Sequence, residues 1–126
     1  MHRYIYISCL EDERELPEVV GLCQRIASNG GVAVFPGWAG YTFKQYAAFV
    51  AVVGYGYNNA SWLNGELYDA YNRSNSHPDH LPLIFGLSIE GAGSPRCSQH
   101  FPINWLDTEQ SYTRLLLGME GEPPVP

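Results

Sequence analysis

Basic residues are scarce in this chain. Of 126 residues only 7 are Lys or Arg, against 13 Asp or Glu, and the formal net charge is −6. Nucleic-acid phosphates are held mostly by basic side chains, so this balance argues against a nucleic-acid surface. It argues equally against a polybasic membrane anchor. Long apolar runs are missing too: nothing approaches the roughly 18 residues that a membrane span needs. Apolar and polar residues alternate from Met1 on, which is not the pattern of a secretory leader. Cysteine is sparse, and Cys9, Cys23 and Cys97 have neither CxxC nor paired Cys/His spacing. Free thiols in a reducing compartment, the cytoplasm, are therefore expected, with no disulfides. Without a secretory leader, the glycosylation patterns Asn59-Ala-Ser61 and Asn72-Arg-Ser74 read as coincidence.

What is present suits one domain with a sizeable core, since 45% of the residues are apolar. RYIYISC, residues 3–9, reads as a strand, because Tyr4, Ile5, Tyr6 and Ile7 are strong strand formers. The acidic stretch EDERE follows. A helix comes next, with Leu16, Val19, Val20, Cys23, Ile26 and Ala27 on one stripe and Pro17 in its first turn. Asn29-Gly30-Gly31 ends it. VAVF, 32–35, is a short strand, PGWAGY, 36–41, a loop, and 42–47 a short helical turn. AAFVAVVGY, 47–55, is a continuous apolar run, the mark of a central strand covered on both faces. Ser61 caps a helix over 61–71, and the polar NRSNSHPDH, 72–80, reads as a loop. LPLIFGL, 81–87, is a buried strand, SIEGAGSPRCSQ a long loop and FPINWL a last short strand. The final helix opens on Asp107-Thr-Glu-Gln110, close to a capping box, with Tyr112, Leu115, Leu116 and Met119 on its stripe. GEPPVP reads as a tail or linker. Strands alternating with helices in this way predict an α/β fold with a central parallel five-stranded sheet between helices. Ligands on such folds bind outside the carboxyl ends of the strands. That rim comprises 8–15, 36–42, 54–61 and 88–98.

Several motifs carry little. Gly54-Tyr-Gly56-Tyr-Asn-Asn59 approaches the dinucleotide fingerprint, but Asn holds the third glycine position and the motif follows the third strand; a plain tight turn fits better. His77-Pro-Asp-His80 lacks a third ligand and sits in a polar loop, so no metal site is expected. The acids of EDERE suit a solvated face or a helix N-terminus.

SWLNGELYDAY, 61–71, is the informative stretch. Leu63, Leu67, Ala70 and Tyr71 form its buried stripe, yet Trp62, Glu66, Asp69 and Arg73 share another face. One account is a solvent-facing stripe with Asp69 and Arg73 as an i, i+4 ion pair. The other is a reaction served by one carboxylate beside an aromatic wall. Cleaving the nicotinamide–ribose bond of NAD+ is such a reaction. The leaving group departs neutral, so no general acid is needed, and a fixed carboxylate stabilises or captures the oxocarbenium-like ribose. A flat aromatic stacks on the cationic ring.

RYIYISCLEDE resembles the first box of Toll/interleukin receptor (TIR) domains, a strand ending in Ile-Ser before a polar loop. AAFVAVVGYGYNNASWLNGEL is similar to the stretch these domains carry around their third strand, with Ser61, Trp62, Glu66 and Leu67 at the family's spacing. LPLIFGL and INWLDTEQSYTRLL extend the likeness over most of the chain. Cys9 stands where the family commonly has an aromatic residue, and the segment between the second and third strands is short. The resemblance implies a flavodoxin-like TIR domain over 1–119, followed by the Pro-rich tail 120–126.

It also implies an enzyme that consumes NAD+ as substrate, without cofactor or metal. Such an enzyme is either an NAD+ nucleosidase or a synthase of cyclic ADP-ribose isomers, in bacterial defence against phage. Glu66 matches the family's catalytic carboxylate and Trp62 part of its pocket. Ser8, Cys9 and Leu10 would line the ribose and nicotinamide side. Trp38 and Tyr41, at the position of the mobile BB loop, would close over the ligand or touch a neighbouring subunit. The expected partners are other TIR domains in a homo-oligomer and a fused or separate sensor or effector. Two readings compete: a non-enzymatic adaptor acting by TIR–TIR assembly, and an enzyme like the nucleoside deoxyribosyltransferases, which also use a Glu on an α/β scaffold.

Overall fold

The computed structural model describes residues 4–35, 46–54, 61–76, 83–89 and 104–120; the side chains of 46, 61–64 and 117–120 are outside this set. Five strands, β1 (Tyr4–Ser8), β2 (Val32–Val34), β3 (Tyr46–Val53), β4 (Leu83–Ser88) and β5 (Asn104–Trp105), form one sheet in the order β2-β1-β3-β4-β5. Every pairing is parallel. With helices α1 (Pro17–Ser28), α2 (Ser61–Ser76) and α3 (Glu109–Glu120), this is the parallel α/β arrangement expected from the alternating pattern, and its strand order is flavodoxin-like. Among the described residues, no helix is long and apolar enough to cross a membrane.

The apolar run of β3 explains its central place. Ala47 to Val53 are all essentially inaccessible to solvent, because successive side chains point to opposite faces and both faces are covered. Ala48, Val50 and Val52 join Ile5 and Ile7 of β1 in a cluster with Val19, Leu22 and Ile26 of α1 and Leu115 of α3. Phe49, Ala51 and Val53 join Tyr6 in a second cluster with Leu67, Ala70 and Tyr71 of α2. Helices α1 and α3 thus cover one face, and α2 the other. Leu67, Ala70 and Tyr71 belong to the stripe the 3.6-residue period predicts; the side chain of its fourth member, Leu63, is outside the described set.

Several boundaries differ from the sequence expectation, most by a residue or two at strand ends; three are instructive. Helix α2 continues to Ser76, so residues 72–76 are helical and not loop. Their polarity marks a solvated helix end, which a search for apolar periodicity cannot distinguish from a loop. Tyr46, expected in a helical turn over 42–47, belongs to β3, as does Ala47, where that turn and the expected strand overlapped; the rest of the turn, 42–45, lies outside the described residues. The cap of α3 is Thr108 paired with Ser111, in place of Asp107 with Gln110. The Ser111 backbone N–H donates to Thr108 Oγ1 and the Thr108 N–H donates to Ser111 Oγ, each at 3.1 Å. This is a capping box with Ser in the role of Glu or Gln. At the end of α1, Gly30 takes a positive φ of 81°, as the Asn-Gly-Gly signal requires.

Candidate functional site

The order β2-β1-β3 places a topological switch point between β1 and β3, since the chain leaves β1 to one side for β2 and then crosses to the other for β3. In parallel α/β sheets ligands lie outside the carboxyl ends of the strands at such a point. Ser8 ends β1 and Gly54 follows β3, so both stand at this point.

Glu66 reaches it from α2. Its carboxylate accepts a hydrogen bond from the Tyr6 hydroxyl and another from Ser8 Oγ at 3.1 Å. Strand alternation puts both donors on the α2 side of β1, and Ser8 is fully buried. Tyr6 is set in turn by β3. It pairs with Phe49 in the β1–β3 register, and their rings stack at 5.4 Å with an interplanar angle of 16°. Glu66 is therefore no member of a solvated stripe, although Asp69, a turn further on, is exposed.

Burial is the largest influence on Glu66 and pushes its carboxyl above the ordinary 4.5. The hydrogen bonds from Tyr6 and then Ser8 work the other way, and the Asp69 charge adds to the rise. The group is thus partly desolvated but supplied with two donors that favour its ionised form. Such a carboxylate is an acceptor-only anion fixed in direction. It can face a developing cation or form a bond to it.

The sequence-derived residues divide as follows. Glu66 and Ser8 come together directly. Leu10 packs at the margin of the cluster beneath α2, on the Glu66 side of the sheet. Cys9 turns the other way, into the cluster beneath α1 and α3, where burial pushes its thiol up to about 12. A thiol so placed is a packing residue and no nucleophile. Trp62 lies in the first turn of α2, one turn before Glu66, with its side chain outside the described set. Trp38 and Tyr41 lie outside the described residues, as do His77 and His80. Among the described residues no group of His, Cys, Asp or Glu could hold a metal ion. Cys9 and Cys23 are free thiols; Cys97 is not described.

Tyr6 is the site residue that sequence reasoning missed. It looks like an ordinary strand former, and its partner is 60 residues away. The available signal was Tyr6 and Ser8 at i and i+2, two hydroxyl residues on one face of an otherwise apolar strand. A separate cavity of about 420 Å³, lined among others by Phe85, Asn104, Asp107, Ser111 and Arg114, lies between β5 and α3 and shares none of the residues around Glu66.

The chain matches no family model, no curated protein and no solved structure.

Proposed function

We propose that the protein is a TIR-type enzyme that cleaves the nicotinamide–ribose bond of NAD+, with Glu66 as its catalytic carboxylate. The observation that carries this reading is the hold on Glu66: a half-buried carboxylate from α2 is drawn to the end of β1 by Tyr6 and Ser8. A surface ion pair would leave the desolvation of this group without a purpose. The adaptor reading, which needs only surfaces, gives no account of it.

In the proposed reaction the C–N bond between ribose and nicotinamide breaks heterolytically. The bonding pair leaves with nicotinamide, which departs neutral, and positive charge grows on the ribose. Ionised Glu66 stabilises that charge or captures it as an ester. Water then adds to the ribose carbon and releases a proton, giving ADP-ribose; where the ester has formed, its bond to the ribose carbon breaks in this step and Glu66 leaves as carboxylate. An adenine nitrogen attacking in place of water gives a cyclic product. Tyr6 and Ser8 are positioning residues, which keep the carboxylate ionised and aimed. Trp62 and the aromatic residues Trp38 and Tyr41 would supply the wall against the nicotinamide ring. By the same resemblance the protein works in the cytoplasm as an assembly of like domains, with NAD+ depletion or a nucleotide signal as its output.

The test is incubation with NAD+ and separately with deoxynucleosides, followed by chromatography. Nicotinamide should appear with NAD+, and no free base should appear with deoxynucleosides. Glu66→Ala should lower nicotinamide release by about a hundredfold or more, the scale on which a main electrostatic contributor acts. Release of base from deoxynucleosides alone would replace NAD+ cleavage with glycosyl transfer.

A further inference from the structure

The switch point between β1 and β3 already carries a side chain. Glu13 closes the 3-10 turn Glu11–Glu13 that follows β1, and its backbone N–H donates to the Leu10 carbonyl at 3.0 Å. Its carboxylate lies directly on Gly54, at the carboxyl end of β3: a Cβ at position 54 would overlap the Glu13 carboxyl group. Glycine is needed there for close approach and not for an unusual φ. Glu13 Oε1 is shut off from solvent and has no hydrogen-bond partner among the described residues.

This is an unusual resting place for an acid. Its neighbours in EDERE, Glu11 and Asp12, are exposed, as the acidic run predicts. Glu13 alone turns inward, beside Cys9 and Arg14, whose guanidinium lies 4.9 Å over the Phe35 ring. Desolvation is the largest influence on its carboxyl and raises it above 4.5; the Leu10 backbone hydrogen bond opposes this and the Asp12 charge adds to it. Oε1 carries the cost of a buried acceptor with no donor, which solvent would remove, while the Leu10 backbone hydrogen bond serves the same carboxyl group. The contact sits at the switch point where a parallel α/β sheet takes its ligand.

We infer that Glu13 is an autoinhibitory latch: its carboxylate on Gly54 covers the β1/β3 switch point and must leave before substrate enters. The inference rests on the switch point being the NAD+ site. Loop 9–13 joins the two functions. Ser8, at its start, holds the catalytic carboxylate, and Glu13, at its end, covers the switch point. A ligand that displaces Glu13 returns it to water. Its apparent affinity is lowered by the fraction of molecules that are latched, and removing the latch restores that fraction.

ADP-ribose is the probe, because it carries the ribose and diphosphate but no bond to break. Its binding is measured calorimetrically on the wild type, Glu13→Ala and Gly54→Ala, with circular dichroism to confirm folding. Glu13→Ala removes the latch, and Gly54→Ala expels it by placing a methyl group where the carboxylate lies. Both variants should bind ADP-ribose at least about fivefold more tightly than the wild type. Wild-type binding that Glu13→Ala leaves unchanged overturns the latch and leaves the NAD+ reading standing. Binding that Glu13→Ala weakens also overturns it, since Glu13 would then be a ligand contact. No binding by any of the three overturns the NAD+ reading itself, and the latch with it.

Discussion

At the scale of single residues, the account turns on the balance around Glu66. Burial favours its neutral form, while Tyr6 and Ser8 favour its charged form. Tyr6→Phe keeps the ring stacked on Phe49 and deletes one donor, a loss on the order of 1–3 kcal/mol for a hydrogen bond to a charged group. Glu66 should then ionise at higher pH. Because the proposed reaction uses only ionised Glu66, the rising limb of nicotinamide release against pH should move upward in Tyr6→Phe. A uniform loss of rate with an unmoved limb would mean that Tyr6 only packs. The same balance has a consequence for stability. Glu66 has a folded pKa above its unfolded value, so its contribution to stability is fully present below 4.5 and is lost as pH rises through the folded value. At neutral pH the wild type therefore carries an ionisation cost that Glu66→Gln lacks. Glu66→Gln should melt at a higher temperature than the wild type at pH 7, with the gap closing at acid pH. A variant less stable than the wild type at both pH values would contradict this.

At the scale of elements, periodicity located the helices and strands but not their ends. Leu67, Ala70 and Tyr71 were legible as the buried face of α2, because apolar side chains at helical spacing leave few other solutions. The inward turn of Glu66 was not legible, since the same spacing describes a solvated stripe. Its partners are on β1, and pairing across 60 residues leaves no local pattern. Glu13 was hidden for a similar reason: in the sequence it is one acid among four, and only the packing against Gly54 separates it from the rest. The α3 cap shows how closely spaced polar residues defeat register. Asp107, Thr108, Gln110 and Ser111 offer two overlapping boxes, and geometry selects Thr108 with Ser111. Thr108→Ala should cost about 1 kcal/mol in chemical denaturation, and Asp107→Ala much less. Equal losses would place the cap one residue earlier. Helix α3 is also tied to α1, through Arg25, which donates to Glu109 at 3.1 Å and lies 4.1 Å over the Tyr112 ring.

At the scale of the whole molecule, the strand order places β1 and β3 side by side and so decides where a ligand can lie. The acidic balance of the chain, which argues against a nucleic-acid surface, is compatible with a small nucleotide held by a few directed groups. The sheet, its parallel sense and its layering were legible because alternation of strand and helix allows few topologies. The proposed chemistry rests on the likeness of two boxes to TIR domains. The structure adds that the residues of these boxes, Ser8 and Glu66, meet. The most direct measurement is nicotinamide release from NAD+ at high protein concentration, where assembly is favoured, by the wild type and Glu66→Gln side by side. The account predicts release by the wild type and at least about a hundredfold less by Glu66→Gln, with the variant folded. Equal release by the two proteins would contradict it.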